Sequence, residues 1–316
     1  MPRYVPVLRT KPAEWDALRH LTGDVRRVIT PCLEILPAEL NVSEQSASED
    51  GEHPVTLLGR AAITYGLKPI FTVGLYHDSK FQVAAREVIN IHKRGVAIRL
   101  FYGDLGKDTS HDGIDSLLHV LEVTYSEADL FVDCGVVGDT PADYDWLSSR
   151  VPRLHDWRRF IALGGSFPPN LDGLVVGARA LPRYDWLHWH AWAVAPKPRT
   201  ARMPDFSDYT IQHAVFDEPP QGANPSASIR YTADTYWLVM RGEALRNKKN
   251  AGNRQYYGNA QLLSEHDQFK GPTYSFGDRY IWDAANRRGG PGTPTTWLAA
   301  GINHHITIAA NQVAAL

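Results

Sequence analysis

The chain predicts an α/β fold, a TIM-barrel-like (β/α)8 with a C-terminal extension, on three observations. Six stretches are near-continuous apolar runs of strand length, the pattern of parallel strands buried on both faces. Segments with apolar residues at helical spacing separate them, and such alternation implies right-handed crossovers and a parallel sheet. Five of the six runs end, at or just beyond their last apolar residue, in a charged or basic side chain, and functional groups in such folds collect at the C-terminal strand ends.

Residues 4–9 form the first expected strand, and residues 12–21 a helix with Pro12 in its first turn and Glu14 and Asp16 near its start, where proline and acids are favoured. The second strand, residues 28–35, leads into residues 43–53, rich in Ser, Glu and Asp and read as an exposed loop. Helical patterns at 55–65, 81–93, 114–126 and 141–151 alternate with strands at 69–75, 96–102, 130–134 and 160–163. Residues 171–194 carry Tyr184, Trp186, Trp189 and Trp192 and are assigned to the sixth helix and an extension, and residues 196–204 to a Pro-rich basic loop. Residues 209–213 and 228–241 are weaker strand candidates, the latter long enough to bend or to be two pieces. Six clear and two weaker strands make eight, which favours a closed barrel over an open doubly wound sheet. Residues 247–254 read as a polar loop, 259–266 as a helix, 287–294 as a Gly/Pro loop and 306–316 as a closing helix. The expected organisation is one domain over 1–316, with 247–316 as an extension packed on it.

Apolar (43%) and charged (22%) contents are those of a globular protein, and a formal charge of −2 creates no global field for nucleic acid or acidic membrane. Two cysteines, Cys32 and Cys134, fall in expected buried strands, which argues against a disulfide framework. No signal-peptide pattern opens the chain and no apolar run reaches spanning length, so a cytoplasmic protein without membrane contact is expected.

The first candidate site is the strand-end ring of Lys11, Glu34, Arg99 and Asp133. Mixed charges in a low-dielectric mouth can position a base, a proton donor and an anion clamp, and Glu34 with Asp133 could share a divalent cation. A buried ion network satisfying strand ends is the competing reading; Arg99, inside its apolar run, needs a carboxylate partner in either case. His77-Asp78 follows the third strand, but adjacent side chains diverge. His188 and His190 share a face only if their segment is extended, and packing of an aromatic-rich helix is the alternative. Asn303-His304-His305, Asp278 and His213 supply further candidates at spacings too open to specify a metal site. Arg230, Arg241, Lys248, Lys249 and Arg254, interleaved with Tyr231, Tyr236, Trp237, Tyr256 and Tyr257, form the densest basic-aromatic region, suited to a nucleotide or single-stranded nucleic acid and equally to a solvated loop beside a core strand. A nucleophile elbow, zinc signature and P-loop are absent, and Gly289-Gly-Pro-Gly is a turn.

Several motifs carry a resemblance. Tyr4-Val-Pro-Val-Leu-Arg-Thr-Lys-Pro-Ala-Glu-Trp-Asp-Ala-Leu, Ile29-Thr-Pro-Cys-Leu-Glu-Ile, Asp205-Phe-Ser-Asp-Tyr, Ile229-Arg-Tyr, Tyr274-Ser-Phe-Gly-Asp and Trp297-Leu-Ala-Ala-Gly-Ile-Asn-His-His-Ile-Thr resemble segments of the bacterial and phage "beta protein" family, nearly from end to end. The resemblance implies a strand–helix barrel encoded among mobile and phage-defence genes, sometimes beside a nuclease. It marks Lys11, Glu34, Asp208, Arg230, Asp278, Asn303 and His304 as motif residues without assigning them roles.

The expectation is a barrel mouth that binds an anionic, phosphate-bearing or nucleotide-like ligand and hydrolyses a phosphoester or nucleotide bond. Lys11, Arg99 and Arg230 would hold the anion, with Asp208, Asp278 and Asn303 as further ligand-binding positions. Glu34 and Asp133 would act as base or metal ligands, and His213 or His304 as general acid. The alternative is a non-catalytic recognition or scaffold subunit that binds a phage component or a nuclease partner through the aromatic stretch 184–192 and the basic-aromatic tail.

Overall fold

A computed structural model of the chain describes residues 3–9, 11–29, 32–34, 52–64, 70–105, 109–196, 202–215, 222–247, 249 and 251–316. Strand–helix alternation runs from β1 (Val7–Arg9) through α1 (Pro12–Arg19), α2 (Gly23–Val28), β2 (Cys32–Glu34), α3 (Pro54–Thr64), β3 (Ile70–Gly74), α4 (Ser79–His92), β4 (Val96–Phe101), α5 (Thr109–Leu121), β5 (Ala128–Val136), α6 (Tyr144–Arg150) and β6 (Arg159–Gly165). There follow β7 (Gly177–Pro182), α7 (Tyr184–Ala193), β8 (Asp205–Asp208), the hairpin β9 (Ile229–Thr232) and β10 (Tyr236–Arg241), and the helices α8 (Gln255–Ser264), α9 (Phe276–Ala285) and α10 (Pro294–Ala314).

The expected (β/α)8 barrel is not what these strands build. Seven of them form a sheet in the order β1-β2-β3-β4-β5-β6-β8, and β7, β10 and β9 form a separate sheet. All pairs of the large sheet are parallel, those of the small sheet antiparallel. The seventh parallel strand lies just upstream of the 209–213 candidate. Its sequence, Asp-Phe-Ser-Asp, has one apolar residue, so a search for apolar runs passes over it. Residues 228–241 are a hairpin in the small sheet, joined by β7, whose residues alternate between half-buried and exposed. That alternation is the mark of a sheet with one open face, and it explains why this stretch cannot insert among the parallel strands.

Residues 3–5 lie beside β8. The Val5 N–H donates to the Phe206 carbonyl (2.9 Å) and the Phe206 N–H to the Arg3 carbonyl (3.1 Å), while Tyr4 bridges in parallel to both Ile29 and Phe206. The Ser207 hydroxyl adds a bond to the Val5 carbonyl at 2.5 Å. Polar residues in β8 are therefore satisfied by the start of the chain.

The main core packs α1, α4–α7 and α10 around the parallel sheet, and a second cluster joins the hairpin to α8, α9 and Trp297. The expected closing helix begins earlier, at Pro294, after the Thr293 cap, whose hydroxyl accepts from the Thr296 N–H. Every residue from 299 to 310 is buried. A helix apolar or enclosed on all sides belongs to a core rather than a surface, so the C-terminal segment is structural centre rather than appendage. No helix among the described residues is long and apolar enough to cross a membrane.

Close approach of α9 to α10 requires glycine at 277: a Cβ there would lie 2.1 Å from the Ala300 carbonyl oxygen and 3.0 Å from the His304 Cβ. Gly277→Ala is expected to destabilise the protein by about 1–3 kcal/mol through overpacking. Gly258→Ala, in α8 with nothing within 4 Å of the added atom, is expected to stabilise by about 0.5–1 kcal/mol. Urea unfolding of both variants measures the contrast.

Candidate functional site

The C-terminal ends of the parallel strands bring Arg99 and Asp133 together. Arg99 pairs in register with Phe131, so Asp133, two residues on, shares its face and lies nearer the strand end. The Arg99 Nε donates to Asp133 Oδ2 at 3.0 Å and Nη2 contacts the same oxygen. Nη2 also donates to the Tyr209 hydroxyl (2.5 Å), which in turn donates to Asp133 Oδ2 (2.8 Å). The second carboxylate oxygen accepts from the Gly135 N–H at 2.8 Å. Gly135 takes φ +66° within a register shift between Asp133 and Val136, an irregularity that re-aims side chains at strand ends. Arg99 and Asp133 are 6% and 3% exposed, so this is a nearly buried, internally compensated ion pair.

Around it the turn after β8 supplies further groups. The His213 Nδ1 lies 2.8 Å from the Phe167 carbonyl; a carbonyl only accepts, so Nδ1 carries the proton. Arg230 donates to the Ile211 carbonyl (2.8 Å) and stands 4.6 Å from the Phe167 ring centroid. Burial lowers its pKa to about 10, which leaves it charged at neutral pH. Gln212 reaches Glu14 Oε1 at 2.5 Å, and the Lys11 backbone N–H donates to Glu14 Oε2 at 3.2 Å. Glu34 closes β2 in register with Arg9; its side chain lies outside the described residues, as do those of Cys32 and Lys248.

His77 Nδ1 accepts from the Gly74 N–H at 3.0 Å and its ring stacks on Phe81 at 3.7 Å. Burial, joined by the Arg99 charge and opposed by Asp78, pushes it down to about 4. Asp78 turns away to cap α4, accepting from the Phe81 N–H, so the two form no dyad. Cys134 is pushed up to about 12 by burial and by Asp133, which makes it a protonated packing group.

The remaining motif residues assemble elsewhere, in a polar network inside the core. Asp208 Oδ2 bonds His305 Nε2 (2.9 Å), and its Oδ1 accepts from the Tyr4 hydroxyl (2.8 Å) and the Thr210 N–H (3.0 Å). Burial works to raise the Asp208 pKa, but His305, Arg183 and the Tyr4 hydroxyl together hold it below the usual carboxylate range. Asp278 Oδ2 bonds His304 Nδ1 (2.8 Å) and the Ser275 hydroxyl (2.6 Å), and its Oδ1 accepts from Tyr231 (2.9 Å). Thr232 links the halves: its carbonyl accepts from His304 Nε2 (2.8 Å) and its hydroxyl bonds His305 Nδ1 (2.9 Å). Asn303 clamps the Gly277 N–H and the Ala17 carbonyl. Asp208, Asp278, His304 and His305 are all at 0% exposure. The structure thus brings Arg99, Asp133, His213 and Arg230 to one end of the sheet, and places Asp208, Asp278, Asn303 and His304 in a network sealed from solvent.

His188 and His190 lie on α7, where alternate residues diverge; His188 Nε2 bonds the Gly138 carbonyl (2.9 Å). Trp186 and Trp189, expected at a partner surface, are buried against Phe206. Among the described residues no group of three or more His, Cys, Asp or Glu side chains is placed to hold a metal. Sequence reasoning missed Tyr209, Tyr4 and Thr232. The cue for Tyr4 was its place at the head of the opening motif, and that for Tyr209 its place beside Asp208 in Asp205-Phe-Ser-Asp-Tyr; Thr232 has no signal outside the folded contacts.

The fold and these clusters define an α/β protein with a parallel-sheet end rich in both signs of charge. The model of the family described as "Beta protein" matches residues 4–71 and 42–311, and the chain belongs to that family. Comparison with curated proteins finds no match, nor does comparison with solved structures.

Two outcomes follow. With a folded pKa near 4 against about 6.5 unfolded, the unfolded chain binds the extra proton at His77. Its contribution to stability is complete above about pH 6.5 and is lost, up to about 3 kcal/mol, as pH falls towards 4. Unfolding of His77→Gln across that window should show a shallower loss than the parent. Asp208→Ala strips three donors of their acceptor and should cost about 3–5 kcal/mol, whereas Tyr4→Phe should cost about 1 kcal/mol; denaturant midpoints check both.

Proposed function

We propose that this protein binds an anionic, phosphate-bearing or nucleotide-like ligand at the C-terminal ends of its parallel strands, and hydrolyses a phosphoester or nucleotide bond there. The observation that carries the reading is the convergence of Arg99, Asp133, Tyr209, His213 and Arg230, from separate elements, on one end of the sheet. Lys11 and Arg230 are the anion contacts. Asp133 holds the Arg99 guanidinium in a fixed plane, so a ligand meets an oriented donor group rather than a mobile chain. His213, protonated on Nδ1 by its bond to the Phe167 carbonyl, is the proton-transfer group, and Glu34 is the base. The resemblance to proteins encoded among mobile and phage-defence genes supports a cytoplasmic defence setting for this activity.

A second reading, a non-catalytic recognition subunit holding a phage component or a nuclease, is favoured by the mutual neutralisation of Arg99 and Asp133. Buried ion networks of that kind stabilise or specify a fold without performing chemistry.

Native mass spectrometry of protein from its own host separates the two readings. A bound phosphate compound, with affinity at least tenfold weaker in a folded Arg230→Met variant and turnover lost in Glu34→Gln, supports the ligand-processing reading. Unchanged affinity in Arg230→Met overturns it. A stoichiometric protein partner on a chain without small ligand supports the recognition subunit.

A further inference from the structure

The opposite end of the sheet holds a cavity that the reading above does not use. It has a volume of about 590 Å³ and is lined by Arg3, Arg158, Arg159, Arg202, Phe160 and Asp205. This size falls within the range of small-molecule sites, roughly 300–1,000 Å³. The arginines come from three places in the chain: before β1, the start of β6 and the approach to β8. Parallel pairing of β6 with β8, and of residues 3–5 with β8, brings them together.

The guanidinium groups are held in position by the fold. Arg158 Nε donates to Asp129 Oδ1 (2.6 Å) and its Nη1 to the Arg94 carbonyl (2.6 Å). Arg202 donates to the Leu154, Trp157 and Arg158 carbonyls at 2.8, 2.7 and 3.0 Å. Arg159 makes a long contact of 3.9 Å to Asp129. Arg3 touches Asp205 through its backbone N–H (2.9 Å). Two donors remain: Arg158 Nη2 and Arg159 Nη1 are shielded from solvent and have no hydrogen-bond partner among the described residues. Charge points the same way. Among the described residues four guanidinium groups meet three carboxyl groups, Asp129, Asp205 and Glu127, an excess of positive charge on a chain whose formal charge is −2. Burial pushes the Asp205 pKa up against the pull of Arg3 and Arg159, which weakens its ability to cancel that excess.

We infer that this four-arginine cavity is a binding site for a compact oligophosphate, a ligand carrying two or more linked phosphate groups. Planar guanidinium forks match phosphate oxygens two at a time, and four of them around one cavity exceed what a single phosphate needs. Among the described residues the only aromatic lining side chain is Phe160, which is 1% exposed, so these residues present no ring for a base to stack on; recognition is of the phosphates. The cavity is also not the extended basic track that a nucleic-acid backbone follows.

Calorimetric titration with inorganic tripolyphosphate tests this, with ATP, AMP and a single-stranded oligonucleotide as comparison ligands. The parent protein and Arg230→Met serve together, so that anion binding at the other sheet end is separated from this site. Tripolyphosphate and ATP should bind both proteins with similar affinity, and AMP at least tenfold more weakly. Arg159→Met should weaken tripolyphosphate binding at least tenfold. Arg3→Met, at the exposed rim, should weaken it several-fold and provides the test if Arg159→Met fails to fold. Tripolyphosphate should also raise the melting temperature of the parent and of Arg230→Met alike. No tripolyphosphate binding by the parent, binding lost in Arg230→Met but kept in Arg3→Met and Arg159→Met, or tight binding of the oligonucleotide alone would each overturn the assignment.

Discussion

Burial of Asn303-His304-His305 in the middle of α10 is the constraint on which the rest of the structure depends. A helix enclosed from residue 299 to 310 cannot leave imidazole and amide groups without partners, because each unmet polar group in the interior costs as much as a folded domain can readily lose. Asp208 and Asp278 meet that demand from two different elements, with Thr232 between them. The same network reaches Tyr4, Ser275, Tyr231, Gly277 and the Ala17 carbonyl. It therefore fixes the start of the chain, the last parallel strand, the hairpin and the two final helices against one another.

This network also accounts for the form of the strand-end site. Asp208 closes β8, and its Oδ1 accepts from the Thr210 N–H while Thr210 takes a left-handed φ of 58°. Such a backbone state is costly for a β-branched residue and persists because the surrounding bonds determine it. The turn so set carries Tyr209 to Arg99 and Asp133, and His213 to the Phe167 carbonyl. Core and site are thus continuous: the carboxylate that satisfies a buried histidine also shapes the turn that completes the charged cluster.

The two ends of the parallel sheet differ in how they treat charge. At the C-terminal end a guanidinium and a carboxylate are paired directly and lie almost out of solvent. At the N-terminal end guanidinium groups are tied largely to backbone carbonyls around a cavity. Carbonyl dipoles orient an arginine without neutralising it, so a positive field remains where a carboxylate partner would have cancelled it.

Much was legible in the residues alone. Continuous apolar runs marked the first six parallel strands, since burial on both faces leaves a signal that needs no partner to interpret, and Arg99 inside such a run announced a carboxylate partner. The paired opening and closing motifs announced the family. What only the tertiary structure decided was which residues meet. Asp-Phe-Ser-Asp is the last strand of the parallel sheet because the start of the chain satisfies it, and residues 229–241 leave that sheet as a hairpin whose second strand pairs antiparallel with β7. His304 and Asp278, marked by the resemblance and not by their spacing, meet in a network sealed from solvent, and the arginines of the N-terminal cavity, scattered from 3 to 202, carry no local pattern. Periodicity records the environment of each residue along its own element; the contacts that make a cluster depend on strand order and helix packing, which no local spacing encodes.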